Sequence, residues 1–598
     1  MVVQKFSINH YSIQHILSWI QTGEIAIPEI QRPFVWDSTQ VRDFIDSLYR
    51  GYPVGYIVAW QNPNVRLKDG TTSKGKKILI DGQQRITALM TSILGKEIVD
   101  RDYKKRRIAI AFNPIEEIFE VSNPLIQKDK KWIADISEIF SPGFKLLEKL
   151  EKYSKDNPDT SKETILRIID SLRNILNIQI GLIELNSELD IDEVTEIFIR
   201  INSSGTVLSQ ADFAMSKIAV DEKFEGQFIR KAIDYFCHLA VKPEFYQQIK
   251  DSDKEFAKTE YFQKMSWLKD DKEDIYDPSY TDMLRVAFTY KFNRGRLKDL
   301  VALLSGRNFV TKEYEEQIAK DSFAKLKEGI MDFMNENNFK KFIMIIRSAG
   351  FIDNSMLRSQ NALNFAYILY LKLKEKKLHP SRIESFVRKW FVFSSLTGRY
   401  SVSPESKFDV DIKRIDSNPI EYINNVISAE LSDKYWEVAL PQQMDISVSS
   451  SPEFNIFLAS QVKMGDKGFL SKDVKIEDLI KLKGDYHHIF PRNYLKKIGY
   501  PHRSQYNQIG NYVLAQTEIN IAIGDKPPKD YFKELKEQCE SKKAKYGGIL
   551  EIDELYENLQ QHCIPLEIFD KLSDDYENFL KERRKLMSQK IKKYFEML

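Results

Sequence analysis

The sequence lacks several features that mark other classes of protein. Its three cysteines, Cys237, Cys539 and Cys563, lie far apart and form no CxxC pair. This spacing excludes a zinc ribbon and a disulfide framework, and it indicates a reduced, cytoplasmic protein. No apolar run approaches the length that spans a bilayer, and the N-terminus has no signal-peptide organisation. We therefore expect no membrane association.

The sequence also has little net charge and no phosphate-binding loop of the P-loop type. The 89 basic and 87 acidic residues leave a net charge of only +2, so any nucleic-acid surface has to be a local patch. The pattern GxxxxGK[ST] is absent, which excludes an ordinary P-loop. The 598 residues are 42% hydrophobic and 29% charged, a composition typical of a folded protein with about two to four domains.

The stretch from Gly484 to Pro528 carries the most specific pattern in the chain. His487 and His488 are adjacent in a short apolar segment, and neighbouring side chains of a strand point to opposite faces, so the two cannot share one role. A second strand-like run covers residues 511–516. Thr517 is a suitable N-cap for a short helix that places Asn520 in its first turn.

The order His-His, Asn511 and then Asn520 resembles the HNH (ββα-metal) nuclease motif of nuclease colicins and CRISPR effectors. The resemblance implies that His488 is the general base that takes a proton from water. It also implies that His487 and Asn520 ligate a cation that acts as a Lewis acid on the scissile phosphate. Asn511 would orient the loop or His488. A shell of His, Asn and oxygen favours Mg²⁺ or Mn²⁺ over structural Zn²⁺.

The metal shell is incomplete in this motif. The colicin-like version carries a further histidine where this chain has Gly524, so water, Asp485 or Asp525 would complete the shell. The missing ligand motivates an alternative, in which the protein is an NTP-hydrolysing, DNA-binding switch with a weak or inactive HNH site. A second alternative is an RNA-directed, toxin-like nuclease, because HNH chemistry does not require DNA.

The first eighty residues contain many readable features. An extended segment, 27–37, leads to a helix that starts at Asp37 or Ser38, and a later strand at 78–80 leads through a turn at Asp81-Gly82 into another helix. Polar side chains at a strand-to-helix junction favour phosphate, because a helix N-terminus attracts anions. Arg85 is suited to clamp a phosphate, and Asp81 is suited to hold a cation or a water molecule.

The segments IQRPFVW, DSLYRGYPVG, DGQQRITAL and EIFIRINSSGTVLSQADF together resemble the N-terminal domain of GmrSD-type restriction endonucleases, which are type IV and modification-dependent. That domain is related to the ParB/sulfiredoxin-like fold, and its DGQQR-type motif is linked to nucleotide binding and hydrolysis. The resemblance implies a site for GTP or ATP. The residues it assigns to this pocket are Asp81, Gly82, Gln83, Gln84, Arg85, Thr87, Gln31, Arg32, Arg200 and Asn202.

The remaining sequence is mainly helical in pattern. Two examples are Tyr314 to Phe342 and Asn361 to Lys377, whose aromatic residues indicate packing between helices. The chain ends in a basic helix that either binds the DNA backbone or packs on the nuclease core. Its expected inward face is Leu580, Leu586, Met587, Ile591, Tyr594 and Phe595.

These patterns predict a multidomain α+β protein. Residues 1–220 would form a ParB/sulfiredoxin-like nucleotide-binding sensor, 221–445 a mainly helical scaffold, and 446–598 an HNH endonuclease domain with flanking helices. The expected function is modification-dependent DNA cleavage in antiphage defence, gated by NTP. In the GmrSD family the modification is glucosylated hydroxymethylcytosine in some members and phosphorothioate in others. DNA and nucleotide are the expected partners, and the oligomeric state stays open.

Overall fold

The computed structural model divides the chain into two compact units, Met1–Arg230 and Lys231–Leu598. The residues it describes are 4–22, 24–26, 36–61, 77–99, 105–186, 189, 197, 210–219, 221, 223–272, 275–313 and 315–598. Both units combine helices with small sheets, in agreement with the predicted α+β class. The predicted C-terminal segment lies in the second unit, together with all of the predicted scaffold except residues 221–230.

The first unit is built on a five-stranded mixed sheet with the strand order β1-β9-β3-β4-β2. The β1–β9 and β3–β4 pairs are antiparallel, whereas β9–β3 and β2–β4 are parallel. The elements of this unit are β1 (Phe6–Ser12), α1 (Ile13–Thr22), β2 (Ile25–Ala26), α2 (Ser38–Tyr49), β3 (Ile57–Gln61), β4 (Lys77–Asp81), α3 (Gln83–Ser92), β5 (Ile98–Val99), β6 (Lys105–Arg106), β7 (Ile110–Asn113), β8 (Ile118–Val121), α4 (Ser137–Phe140), α5 (Leu146–Asp156), α6 (Lys162–Arg173), β9 (Gln179–Leu185) and α7 (Gln210–Ala219).

Helix α2 begins where the sequence predicts. Asp37 accepts a hydrogen bond from the main-chain N–H of Gln40, and the Gln40 side chain accepts one from the main-chain N–H of Asp37. This reciprocal pair satisfies two of the N–H groups that a helix start leaves without partners. The apolar face of the helix is buried in the core that also contains Ile57, Leu79 and Ile86. The junction between β4 and α3 is thereby fixed to a packed core.

The second unit is mainly helical and begins within α8. Its elements are α8 (Gly226–Val241), α9 (Tyr246–Ser252), α10 (Glu260–Lys264), α11 (Tyr280–Phe292), α12 (Leu297–Leu304), α13 (Glu316–Phe333), α14 (Glu336–Ser348), α15 (Gln360–Glu375), α16 (Pro380–Leu396), α17 (Pro404–Ser417), α18 (Pro419–Glu430), a π-helical turn (Tyr435–Ala439), α19 (Leu440–Gln443), α20 (Pro452–Met464), α21 (Ile476–Lys481), β10 (Asp485–His488), α22 (Arg492–Lys497), α23 (Arg503–Tyr506), β11 (Tyr512–Ala515), α24 (Thr517–Ile523), α25 (Pro528–Ser541), α26 (Ile552–Gln561) and α27 (Tyr576–Glu596). None of the helices in the described ranges combines the length and the apolar character needed to cross a bilayer.

One predicted helix is wrong in its continuity. The helix expected from Tyr314 to Phe342 is divided into α13 and α14, because Asn335 lies in an extended conformation and its side chain accepts a hydrogen bond from the N–H of Asn338. Asparagine at this position starts a new helix by satisfying a free N–H group. The other example, Asn361 to Lys377, corresponds closely to α15.

The carboxylate of Asp411 joins three helices of the second unit. It is fully buried and accepts two hydrogen bonds from Arg399, at 2.8 and 2.6 Å, and one each from the hydroxyls of Tyr400 and Tyr422. A buried charge is tolerated when its oxygens are all bonded in this way. The network therefore fixes α17 against the end of α16 and against α18.

The C-terminal helix α27 packs into the second unit, in agreement with the second of its two predicted roles. Five of the six expected inward residues are buried, and Leu586 is half-buried. Its cations are largely engaged: Arg584 pairs with Asp445, Lys590 with Asp466, and Lys592 with Asp433. The main role of α27 in the second unit is therefore structural.

Candidate active site

Two short strands and a helix form the centre of the site. Strands β10 and β11 pair antiparallel, with His487 opposite Val513 and His488 opposite Tyr512. Helix α24 follows β11 directly. Its first residue is Thr517 and its N-cap is Gln516, so the predicted cap at Thr517 is wrong by one position. The expected order of strand, strand and helix is present.

The adjacent histidines lie on opposite faces of β10, as strand alternation requires. His487 is 2% exposed and stacks on Phe469, with ring centroids 5.8 Å apart. His488 is half-buried and lies edge-on to Tyr512, with ring centroids 5.0 Å apart. One imidazole therefore belongs to the core side of the hairpin, and the other reaches the surface.

His487 and Asn520 bring two metal-binding atoms together. Nδ1 of His487 lies 2.6 Å from Oδ1 of Asn520. Burial lowers the pKa of His487 to about 4, so at neutral pH the ring carries one proton and one lone pair. Nε2 is buried and has no hydrogen-bond partner among the described residues.

Neither neutral tautomer of His487 gives both ring nitrogens a hydrogen-bond partner in this arrangement. A proton on Nδ1 donates to Asn520 but leaves the Nε2 lone pair buried and unpaired. A proton on Nε2 leaves an unpaired buried N–H and turns the Nδ1 lone pair towards the amide oxygen. A cation between Nδ1 and Oδ1 would use both lone pairs, and Asn520 is half-buried, so this contact lies near the surface. The pair thus fits a hard divalent cation with further oxygen ligands.

Asn507 contacts His488 and was not predicted from the sequence. Its Oδ1 lies 2.9 Å from Nε2 of His488, so a proton on Nε2 donates to the amide oxygen and leaves Nδ1 as the basic nitrogen. Burial, the largest effect, lowers the pKa of His488, which keeps the ring neutral at pH 7. A polar residue in a loop gave no sequence signal for this role.

Asn511 holds the chain between the two strands. Its side chain is fully buried, accepts a hydrogen bond from the N–H of Phe490 at 2.8 Å, and donates to the carbonyls of Phe490 and Tyr506. All of these partners are main-chain atoms. Of the two roles that the resemblance implied for Asn511, the geometry corresponds to orienting the loop, while Asn507 contacts His488.

The expected third metal ligand is not identified. Asp525 accepts a hydrogen bond from Asn493 at 2.9 Å, and the side chain of Asp485 lies outside the described residues. Gly524 has φ +55° and ends α24. In the part of the chain that the structure describes, no group of three or more His, Cys, Asp or Glu side chains is placed to hold a metal.

The DGQQR sequence lies at the junction of β4 and α3, as predicted. Gly82 has φ +96° and precedes the helix, a conformation that glycine adopts without strain. A side chain at Gly82 would lie 3.3 Å from Nη1 of Arg85, and one at Gly55 would lie 3.1 Å from Nη2. The two glycines therefore leave space for the guanidinium, which donates to the Tyr56 carbonyl at 2.5 Å and lies 3.6 Å from Asp81.

Known proteins resemble this region and the chain as a whole. Residues 13–219 match the family model described as GmrSD restriction endonuclease, N-terminal domain. This part of the chain is similar to the GmrSD N-terminal domain. The uncharacterized protein MJ0686 of Methanocaldococcus jannaschii is 22% identical over 636 aligned positions, which cover 95% of this chain and 96% of that protein. That similarity runs through both units, whereas the family match ends before β10.

All ten predicted pocket residues fall within residues 13–219, the part that matches the family model. Gln83 and Thr87 are buried one helical turn apart, and Oε1 of Gln83 has no hydrogen-bond partner in the described ranges. Oε1 of Gln84 accepts a hydrogen bond from the N–H of Trp36. The expected opposite wall of the pocket lies outside the described residues, namely Gln31, Arg32, Arg200 and Asn202.

Proposed function

We propose that the protein is a restriction endonuclease of antiphage defence that cleaves modified DNA. Phosphodiester hydrolysis would take place at an HNH (ββα-metal) site formed by β10, β11 and α24. The observation that carries this proposal is the 2.6 Å contact between His487 Nδ1 and Asn520 Oδ1, on the opposite face from His488. The GmrSD N-terminal domain supports a restriction role.

His488 is the proposed general base. With Nε2–H donating to Asn507, Nδ1 is free to take a proton from water, and its lowered pKa keeps it unprotonated at neutral pH. The oxygen of that water attacks phosphorus, and the bond from phosphorus to the 3′ oxygen breaks. Asn507 fixes the ring during this step, and Asn511 fixes the loop that carries Asn507.

His487 and Asn520 are the proposed ligands of Mg²⁺ or Mn²⁺. When bound, the cation supplies Lewis-acid stabilisation of the charge on the phosphate. The pKa of His487, lowered to about 4 by burial, keeps a lone pair available at pH 7. The chain contributes a fixed distance between the two donor atoms, because His487 stacks on Phe469 and Asn520 belongs to α24.

The first unit is the proposed sensor, a ParB/sulfiredoxin-like domain that binds and hydrolyses GTP or ATP and gates the nuclease. The buried and unpaired Oε1 of Gln83, next to a helix N-terminus, supports a ligand at the β4–α3 junction. Arg85 keeps donors beyond its bond to Tyr56. Discrimination between DNAs would have to come from this unit, because contacts to phosphate and sugar carry no sequence information.

A cleavage assay tests the nuclease proposal. Wild type and His488→Ala are incubated with Mn²⁺ or Mg²⁺, with and without GTP or ATP, on unmodified plasmid, glucosylated phage DNA and phosphorothioate DNA. We expect cleavage of one modified DNA by wild type and none by His488→Ala. Nucleotide hydrolysis that survives His488→Ala without DNA cleavage by wild type would instead favour the NTP-dependent switch, and cleavage of structured RNA alone would favour the toxin-like nuclease.

A further inference from the structure

We propose that residues 489–511, the inter-strand segment between β10 and β11, form the surface that holds the sugar-phosphate backbone of DNA beside His488. This inference rests on the proposed nuclease function, because it takes His488 as the reacting group. It adds a substrate-binding surface that neither the family match nor the HNH pattern assigns.

The sequence of this region is depleted in negative charge. The thirty residues from His487 to Gln516 contain no aspartate or glutamate, although 87 acidic residues in 598 positions correspond to about four in such a length. The same stretch contains Arg492, Lys496, Lys497 and Arg503. In a chain with a net charge of only +2, these four cations share the stretch between the two strands with no acidic residue, and a phosphate backbone is the ligand for such a local patch.

The four cations are exposed and unpaired. All four side chains are exposed to solvent, and none of them forms an ion pair with any described residue. The basic helix α27 is different, because Arg584 and Lys592 are both engaged by aspartates there. The unpaired state of the inter-strand cations leaves their full charge available to a ligand.

Three of these cations, Arg492, Lys496 and Arg503, belong to the surroundings of His488. Helix α23 starts with Arg503 and ends at Tyr506, directly before Asn507, which contacts His488 at 2.9 Å. Nζ of Lys496 lies 5.3 Å from the Tyr506 ring, whose centroid is 6.5 Å from that of His488. Burial is the largest cause of the lowered pKa of His488, and the nearby charge of Arg492 lowers it further.

The test measures DNA binding without catalysis. Full-length protein is titrated against a fluorescent DNA duplex in EDTA at several salt concentrations, comparing wild type with Arg492→Gln/Arg503→Gln. The control is Lys581→Gln/Lys593→Gln, which removes two exposed cations from α27. We expect the inter-strand variant to bind DNA at least on the order of tenfold more weakly than wild type. The slope of log K against log salt concentration should be shallower by about two.

The outcomes separate this inference from the proposed function. The inference is supported if the control binds like wild type and the inter-strand variant is weakened with a shallower salt dependence. It is overturned if the two variants bind alike, or if the surface prefers an RNA hairpin over duplex DNA in competition. If wild type cleaves DNA while Arg492→Gln/Arg503→Gln binds normally, only the inference fails. If wild type binds no DNA, both fail.

Discussion

Arg583 of α27 is a buried guanidinium that supports the active-site hairpin from behind. It is 0% exposed and donates through Nη1 to the Gly510 carbonyl at 2.8 Å, through Nη2 to the Tyr512 carbonyl at 2.8 Å, and through Nε and Nη2 to the His562 carbonyl. Within the described residues its acceptors are all main-chain carbonyls. Two of these carbonyls belong to the residues on either side of Asn511, so Arg583 fixes the start of β11.

The expected loss of stability on substitution follows from the cost of burying the Arg583 charge and from the hydrogen bonds that this charge makes. Burial lowers the pKa of Arg583 to about 10, which corresponds to a cost of about 3 kcal/mol for the buried charge. Hydrogen bonds from a charged donor contribute about 1.5–3 kcal/mol each, so the bonds outweigh this cost. Arg583→Ala leaves three carbonyls short of a donor, and we expect it to lower the free energy of unfolding by about 4 kcal/mol.

Arg583→Lys separates the charge from the geometry. An ammonium carries its donors on one nitrogen and cannot span three carbonyls as a planar guanidinium does, so we expect a loss of about 2 kcal/mol. The matched control is Arg584→Ala. The neighbouring Arg584 pairs at 2.6 Å with Asp445, which is 59% exposed, and such surface pairs contribute about 1 kcal/mol or less.

Urea unfolding gives the free energies, and hydrogen exchange resolved by mass spectrometry shows where protection is lost. Arg583→Ala should lose protection first in peptides covering residues 506–516. The reasoning is refuted if Arg583→Ala costs no more than Arg584→Ala, or if exchange in that segment stays at the wild-type rate.

Four further changes test the site and the fold. Asn511→Ala should lower the free energy of unfolding by about 3 kcal/mol, because it removes hydrogen bonds to buried main-chain atoms. His488→Ala should abolish cleavage and keep a melting temperature close to that of wild type. A His488→Ala variant that is less stable than Asn511→Ala would contradict these roles. Gly82→Ala, at φ +96°, should lower the melting temperature more than Gly143→Ala, where a Cβ meets open space; equal melting temperatures would contradict the strain. Burial lowers the pKa of His562 to about 3, so between pH 6.5 and pH 3 only the unfolded chain takes up a proton at this residue. The contribution of His562 to the free energy of unfolding should therefore be complete above pH 6.5 and fall by up to about 1.4 kcal/mol per pH unit towards pH 3. Urea midpoints that do not fall on acidification would contradict this.

Much of the candidate site could be predicted because its rules are local. Strand alternation alone places His487 and His488 on opposite faces, and a helix directly after β11 brings Asn520 back to β10. Asn507 was missed because it lies 19 residues after His488. Its position depends on how the loop between the strands packs, and no periodicity in the sequence encodes that path.

The same distinction between local and tertiary information explains the helical region. Helix α15 was predicted within one or two residues because its apolar pattern runs without a break. The division between α13 and α14 was missed because apolar spacing continues through it, and a single asparagine, Asn335, decides the break. The role of α27 also needed structure, since only the contacts of Arg583, Arg584 and Lys590 show that its cations serve the protein interior and its surface pairs.

The separation of the two histidines has a consequence for how loss of activity is interpreted. His487 is buried against Phe469, so any substitution there removes a candidate metal ligand and core packing at the same time. His488 is half-buried, and its loss removes a proton acceptor while the hairpin keeps its core. Inactivity of a His487 variant is therefore informative about metal binding only if the variant still folds. Inactivity of His488→Ala bears directly on the chemistry, because Asn511 and Arg583 still hold the same loop.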